Sequence, residues 1–164
     1  MARYKVNDPI HRIIPFNDKE KSVIDHPYFQ RLRHIKQLSF VSYVFPGAVH
    51  DRFSHSLGAM HMASVLSRQF FFNEEQSVLA RILSPKEKQF LILIMRLSGL
   101  LHDIGHAPFS HAAEVHMPSI RDLAIPSGWF REKGEVRRAK HEDYSVLLIR
   151  MLSQEKDAVL KEEE

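Results

Sequence analysis

The spacing of apolar residues changes several times along the chain. Residues 1–20 alternate weakly and are interrupted by Pro9 and Pro15, which predicts a short strand pair or an irregular arm. From Pro27 the period becomes helical. Tyr28, Leu32, Ile35 and Leu38 recur on one face, Pro27 suits a first helical turn, and Asp25 or His26 can cap it. The stretch "SYVFPGAVHD" then reads as a loop, through Pro46 and Gly47. A second helix is expected from near Asp51 to about Phe72, with Ala59, Met62, Ala63, Leu66 and Phe70 as its apolar stripe. His55 lies four residues before Ala59 and is therefore predicted to face inward.

"SPKE" at 84–87 is a capping box with proline at the first helical position. The helix it opens, "KQFLILIMRLSGLLHD", is apolar nearly all round and is expected to be buried at the centre of the fold. Gly105 and Pro108 stop it, which leaves His102 and Asp103 at its C-terminal end. Unpaired carbonyls at a helix C-terminus favour a cation there. Ser110 can cap a short helix through Glu114, and residues 117–139 read as an irregular crossing. A last helix starts near His141, with Val146, Leu148, Ile149 and Leu152 inward. The picture is mainly helical.

Composition narrows the chemistry. A chain of 164 residues suffices for one domain with a core, and its 44% hydrophobic and 26% charged residues are those of a globular protein. A formal charge of +3 is compatible with a phosphate-bearing ligand without demanding nucleic acid. Cysteine is absent, so disulfides and thiolate metal sites are excluded, whereas eleven histidines are unusual. The N-terminal residues hold no apolar core of signal-peptide type, and "FLILIM" at 90–95 is too short to span a bilayer. A cytoplasmic protein without a membrane partner is expected.

Three histidines and an aspartate fall within "LLHDIGHAPFSH" at 100–111. Burying such groups is costly unless each finds a partner. At a loosening helix end, His102 and Asp103 can approach one ion, and His55 on a neighbouring helix is the natural third ligand. Imidazole with carboxylate suits Zn, Mn, Fe or Ni better than Ca or Mg. A His-Asp pair also occurs simply as a dipeptide, so the spacing leaves both readings open.

The longer strings carry more. "RFSHSLG" at 52–58, "HDIGHAPFSH" at 102–111 and "HEDYS" at 141–145 resemble the HD-domain superfamily of metal-dependent phosphohydrolases. "DPIHRII", "QRLRHIKQL" and "YVFPGAVHDRFSHSLG" are similar to its deoxynucleoside triphosphate triphosphohydrolase branch. The resemblance covers roughly residues 8–152. It implies an all-α HD-domain helical bundle with a short irregular or β N-terminal arm, forming one domain over 1–164 that is incomplete at the C-terminus. It implies metal ligation by His55, His102 and Asp103, with Mn, Fe, Zn or Ni as the ion and Mg as a possible second one. Arg52 matches a contact to substrate phosphate, and Gln37 and Leu38 match the pair beside the nucleotide sugar. His106 and His111 match the phosphate site, His141 a catalytic histidine, and Glu114 an acidic partner orienting a histidine. The implied reaction is dNTP hydrolysis to nucleoside and triphosphate by a homo-oligomer.

Two departures from the pattern are visible. Ser54 stands where an acidic residue usually precedes the metal histidine, and the resemblance implies a distal aspartate as fourth ligand. The late aspartate here, Asp157, lacks the surrounding pattern. A non-catalytic nucleotide- or metal-binding regulatory module is therefore the alternative function. A nucleic-acid partner using the basic residues of 131–140 ranks third. His11, His26, His34, His61 and His116 are expected to be surface or locally hydrogen-bonded groups, and His50 structural. Phe70, Phe71 and Phe72 are expected to be core plus a partly exposed helix end.

Overall fold

The computed structural model describes residues 3–75, 77–123, 125–126 and 137–155. The N-terminal arm is an antiparallel hairpin of β1 (Tyr4–Asp8) and β2 (Arg12–Phe16), with Val6 opposite Ile14. Asp8 closes the turn, its carboxylate accepting from the amides of Ile10 and His11.

Helix α1 (Asp18–Asp25) follows at once. Asn17 and Glu20 form a capping box at its start, a sequence signature within the stretch read above only as a strand pair or an irregular arm. Glu20 is also buried, and its carboxylate pairs with Arg96 of the later helix α5 (Pro85–Leu101). One side chain thus caps α1 and ties it to the middle of α5.

The predicted helix over 27–38 is broken. Helix α2 (Pro27–Gln30), capped by His26, passes into a 3-10 turn, Arg31–His34, and the chain then extends. The extension has a physical reason. It lets residues 35–37 pair with 50–52, through the Gln37 amide to His50 O at 3.1 Å and the Arg52 amide to Ile35 O at 2.9 Å. Backbone pairing across the loop outweighs helical periodicity.

Helix α3 (Arg52–Phe72) begins where expected, with Asp51 as its cap. Its inward face differs from the predicted stripe. Phe53, Leu57, Met60 and Phe71 are buried, whereas Met62, Leu66 and Phe70 are exposed. The cause is α5 (Pro85–Leu101), which meets α3 at Gly99; a Cβ there would lie 2.9 Å from the Ala59 carbonyl. That close approach selects the facing side of α3. His55 accordingly lies at an open lip, its side chain 39% exposed, not on an inward stripe. Phe71 in the core between exposed Phe70 and Phe72 agrees with the expectation for that triplet.

The short helix α4 (Val78–Ile82) leads into α5, whose Ser84–Glu87 capping box forms as predicted. The expectation of a wholly buried α5 is corrected: Leu100 and Leu101 are buried, but Phe90 and Ile94 are exposed. Among the described elements α3 is its main neighbour, so one face and the first turns stay uncovered. Helix α6 (His141–Gln154) starts as predicted, buries Leu152, and lays Leu148 and Ile149 against the core. The architecture is the mainly helical one expected, with a strand arm. No helix of the described residues is long and apolar enough to cross a membrane.

Candidate metal centre and adjoining histidine cluster

Helix α5 ends at Leu101, and His102 serves as its C-cap. The turn that follows, through His106, is clamped from two sides. Arg31 donates to the carbonyls of His106, at 2.6 Å, and of Ile104. From α6, Ser145 Oγ accepts from the Gly105 amide at 2.9 Å and donates to His102 O at 3.0 Å. A Cβ on Gly105 would overlap the His141 carbonyl and the Ser145 amide. Glycine is required here because α6 lies directly on the turn. Neither Arg31 nor Ser145 was singled out from sequence, since a side chain acting on a distant backbone leaves no periodic signal.

The structure brings His55, His102 and Asp103 together as a group able to hold a metal ion. The two Nε2 atoms are 3.3 Å apart. His102 Nε2 is 3.3 Å from Asp103 Oδ1, and His55 Nε2 is 3.7 Å from Oδ2. Ligand nitrogens on one tetrahedral ion, each about 2.0–2.1 Å from it, are about 3.3 Å apart, so the donors fit a single ion. His102 Nδ1 lies 2.8 Å from the Gly99 carbonyl, which can only accept. The ring therefore carries its proton on Nδ1 and turns the Nε2 lone pair into the site. Burial lowers the pKa of His55, Asp103 opposes this, and His102 and Arg52 reinforce it. For Asp103, burial works against ionisation, but the neighbouring His106 ring, His102 and the Arg52 guanidinium prevail, holding the carboxyl well below its ordinary range. Neutral imidazole beside carboxylate is the protonation state that ligation needs.

A second group, His106, His111, Glu114 and His141, adjoins the first. His106 is 1% exposed, and both its ring nitrogens lack a close hydrogen-bond partner; Asp103 Oδ1 is nearest to Nε2, at 3.5 Å. Burial lowers the pKa of this ring, partly opposed by Asp103. It stacks on His141 with centroids 3.8 Å apart and meets His111 edge-on at 4.9 Å. Glu114 Oε1 accepts from His141 Nδ1 at 2.6 Å and from His111 Nδ1 at 3.0 Å. Burial would raise the Glu114 pKa, but the hydrogen bonds from His141 and His111 lower it overall. An ionised Glu114 thus keeps a proton on both Nδ1 atoms and frees both Nε2 atoms for other partners.

The residues expected at the substrate are placed unequally. Arg52 is 2% exposed and turned inward, with NH1 on Asp103 Oδ2 at 2.5 Å, Nε on Ser110 Oγ at 3.1 Å and NH2 on Gln37 O at 3.4 Å. Gln37 lies beside it with an unpartnered, buried Oε1, while Leu38 is exposed. Ser110 does not cap a helix. The segment Ser110–His116 is a 3-10 helix without a side-chain cap, and the Ser110 hydroxyl is used by Arg52 and by Lys36 O instead. Asp157 and residues 131–136 of the basic stretch lie outside the described residues.

A helical domain that gathers a His-Asp pair at one helix end, a histidine from the next helix and a histidine cluster alongside defines a class of protein built around a metal-binding centre. Residues 52–161 match the HD domain family model, and the chain belongs to the HD-domain family. It is 42% identical over 136 residues to deoxynucleoside triphosphate triphosphohydrolase SAMHD1 of Bos taurus, covering 83% of this chain and 21% of the relative. The corresponding Danio rerio protein is 46% identical over 136 residues, with 82% and 20% covered. An uncharacterized protein, MJ1154 of Methanocaldococcus jannaschii, is 40% identical over 110 residues, covering 67% of this chain and 20% of that one. The chain thus spans about a fifth of the length of the curated relatives it matches.

Proposed function

We propose that the chain carries the metal centre and phosphate-handling histidines of a nucleotide phosphohydrolase, acting on dNTPs to release nucleoside and inorganic triphosphate. One observation carries this reading: the ligand-competent group of His55, His102 and Asp103 lies against a buried histidine stack, joined through Asp103 and His106. The names of the relatives support the nucleotide substrate. A single HD-domain unit over 1–164, a cytoplasmic location and homo-oligomer formation belong to the same reading. Exposed apolar side chains such as Phe70, Ile82 and Phe90 fit contacts with further protein surface.

His55, His102 and Asp103 would hold the ion. Their mixed nitrogen and oxygen donors favour Mn, Fe, Zn or Ni, with Mg as a second ion on the phosphates. When bound, such an ion acts as a Lewis acid, polarising a phosphoryl oxygen and lowering the pKa of water. The residues of the chain do the rest. Water attacks the α-phosphorus, the bond from phosphorus to the sugar oxygen breaks, and that oxygen takes up a proton. His111 and His141 are the candidate donors, because Glu114 holds both Nδ1 atoms and leaves Nε2 of each toward substrate. His111 is 68% exposed and stands at the mouth, while His141 is 12% exposed and stands inside. Arg52 reinforces Asp103 from within, and Gln37 and Leu38 would border the sugar of a bound nucleotide.

The test is release of inorganic triphosphate from dGTP with added manganese, with His102→Ala as the blank. Turnover by the wild-type chain that is abolished in the variant is the expected result. A thermal shift with dGTP but no turnover would favour the regulatory module instead. Equal metal content in wild type and His102→Ala would remove the metal centre itself.

A further inference from the structure

We propose that Ser110 is a positioning residue of the metal centre. Its hydroxyl holds Arg52 against Asp103 and thereby sets the direction in which the carboxylate is offered. This rests on the reading of His55, His102 and Asp103 as ligands.

The geometry of Ser110 is unusual on three counts. It is 3% exposed, although serine is ordinarily a surface residue. Its φ is 53°, and that of the preceding Phe109 is 67°, so two consecutive side-chain-bearing residues occupy the left-handed region. Such backbone persists only where surrounding contacts over-determine it, and it concentrates at functional sites. The contacts that hold this backbone are a stack of Phe109 on Phe40, with centroids 5.1 Å apart, and two polar contacts of Ser110. Ser110 Oγ lies 3.0 Å from the Lys36 carbonyl and 3.1 Å from Arg52 Nε. A carbonyl can only accept and a guanidinium can only donate. The single hydroxyl proton must therefore point at Lys36, and the lone pair at Arg52.

That polarity fixes the guanidinium. Arg52 is planar, with its donors in a rigid fork. Ser110 takes Nε and the Gln37 carbonyl takes NH2, so NH1 is left aimed at Asp103 Oδ2, 2.5 Å away. With Oδ2 engaged, the carboxylate cannot rotate freely, and Oδ1 stays turned toward His102, 3.3 Å away, and His106, 3.5 Å away. Ser110 therefore joins three segments that are distant in sequence: the extended piece at Lys36, the start of α3 and the turn after α5. It is not placed as a nucleophile, because its proton is committed to a carbonyl and not to a histidine.

Groups that orient metal ligands typically change metal affinity by about 10–100-fold when removed. The experiment measures Mn2+ affinity by titration calorimetry and melting temperature for wild type, Ser110→Ala, Ser110→Gly and His102→Ala. Glycine removes the hydroxyl but relieves the left-handed strain, so it separates the two roles of the position. Both Ser110 variants are expected to lose about tenfold or more in Mn2+ affinity, with Ser110→Gly melting no lower than Ser110→Ala. If Ser110→Ala does not fold, Ser110→Gly carries the test. Wild-type Mn2+ affinity in Ser110→Gly would overturn the proposal, since the position would then matter only for backbone shape. In that case loss of binding in His102→Ala would leave the metal-centre reading standing. Absence of Mn2+ binding by wild type, or equal binding by His102→Ala, would overturn both.

Discussion

The two ends of the α3–α5 pair are built differently. At the end holding Arg52 and His102, short contacts dominate: Gly99 lies against Ala59, Gly105 lies under α6, and buried polar groups are bridged by Arg31, Arg52, Ser110 and Ser145. At the opposite end, the apolar side chains of Phe70, Phe72, Ile82 and Phe90 are each more than half exposed. Arg96 marks the border, where Glu20 and Ser64 take its guanidinium. Close packing and buried polar bridges are thus gathered at the end that carries the His55, His102 and Asp103 group, while the other end keeps apolar surface open. Leu100 and Leu101 bury fully on the same helix that exposes Phe90 and Ile94.

Truncating an apolar residue in each region breaks the comparison most directly. Leu100→Ala should cost about 2–5 kcal/mol, because Leu100 has no exposure and its cavity cannot collapse freely. Ile94→Ala, on an exposed position of the same helix, should change stability by about 0.5 kcal/mol or less. Urea denaturation of both variants checks this, and similar losses would show that the outer face is covered in solution.

Glycine substitutions give the next largest contrast. Gly105→Ala should destabilise by about 1–3 kcal/mol and loosen α6, since the added carbon meets backbone that cannot step aside. Gly47→Ala meets nothing within 4 Å and should be nearly neutral. Hydrogen exchange of the α6 amides in Gly105→Ala would locate the damage.

The smallest effect sharpens the polar side of the comparison. Asp143 accepts from the Lys140 amide at 2.8 Å and from both terminal nitrogens of Arg137, at 2.6 and 2.9 Å. Burial would raise its pKa, but the Arg137 hydrogen bonds and the Lys140 amide lower it overall. A depressed carboxyl contributes stability above its unfolded value of about 3.9, and the contribution fades as pH falls through the lower folded value. Asp143→Ala should therefore cost about 0.5–2 kcal/mol between pH 5 and pH 8, with the gap to wild type narrowing below about pH 4. A gap that widens in acid would contradict the assignment.

Local rules made much of this molecule legible in advance. Capping residues announced α3 through Asp51 and α5 through Ser84 and Glu87, because a cap satisfies amides within four residues of itself. The same logic marks Asn17 and Glu20 at the start of α1, a helix whose apolar positions, Val23 and Ile24, are too few to show a helical repeat. The stripe expected on α3 departs from its buried face for the opposite reason. Periodicity there allowed several faces, and Gly99 on another helix chose among them.

The chemistry divides in the same way. Residue order alone puts His102 and Asp103 at a helix end, crowds histidines into the following turn and carries the motif strings of the HD-domain family. These are statements about neighbours along the chain. Packing between distant segments turns Arg52 inward onto Asp103, lets Glu114 serve His111 and His141 together, and sets Ser110 between Lys36 and Arg52. Each of those contacts needs donors and acceptors from separate segments within about 3 Å, a condition set by packing. Hydrophobic spacing reports which side of an element avoids water, and it carries no information about which polar atom waits on the other side.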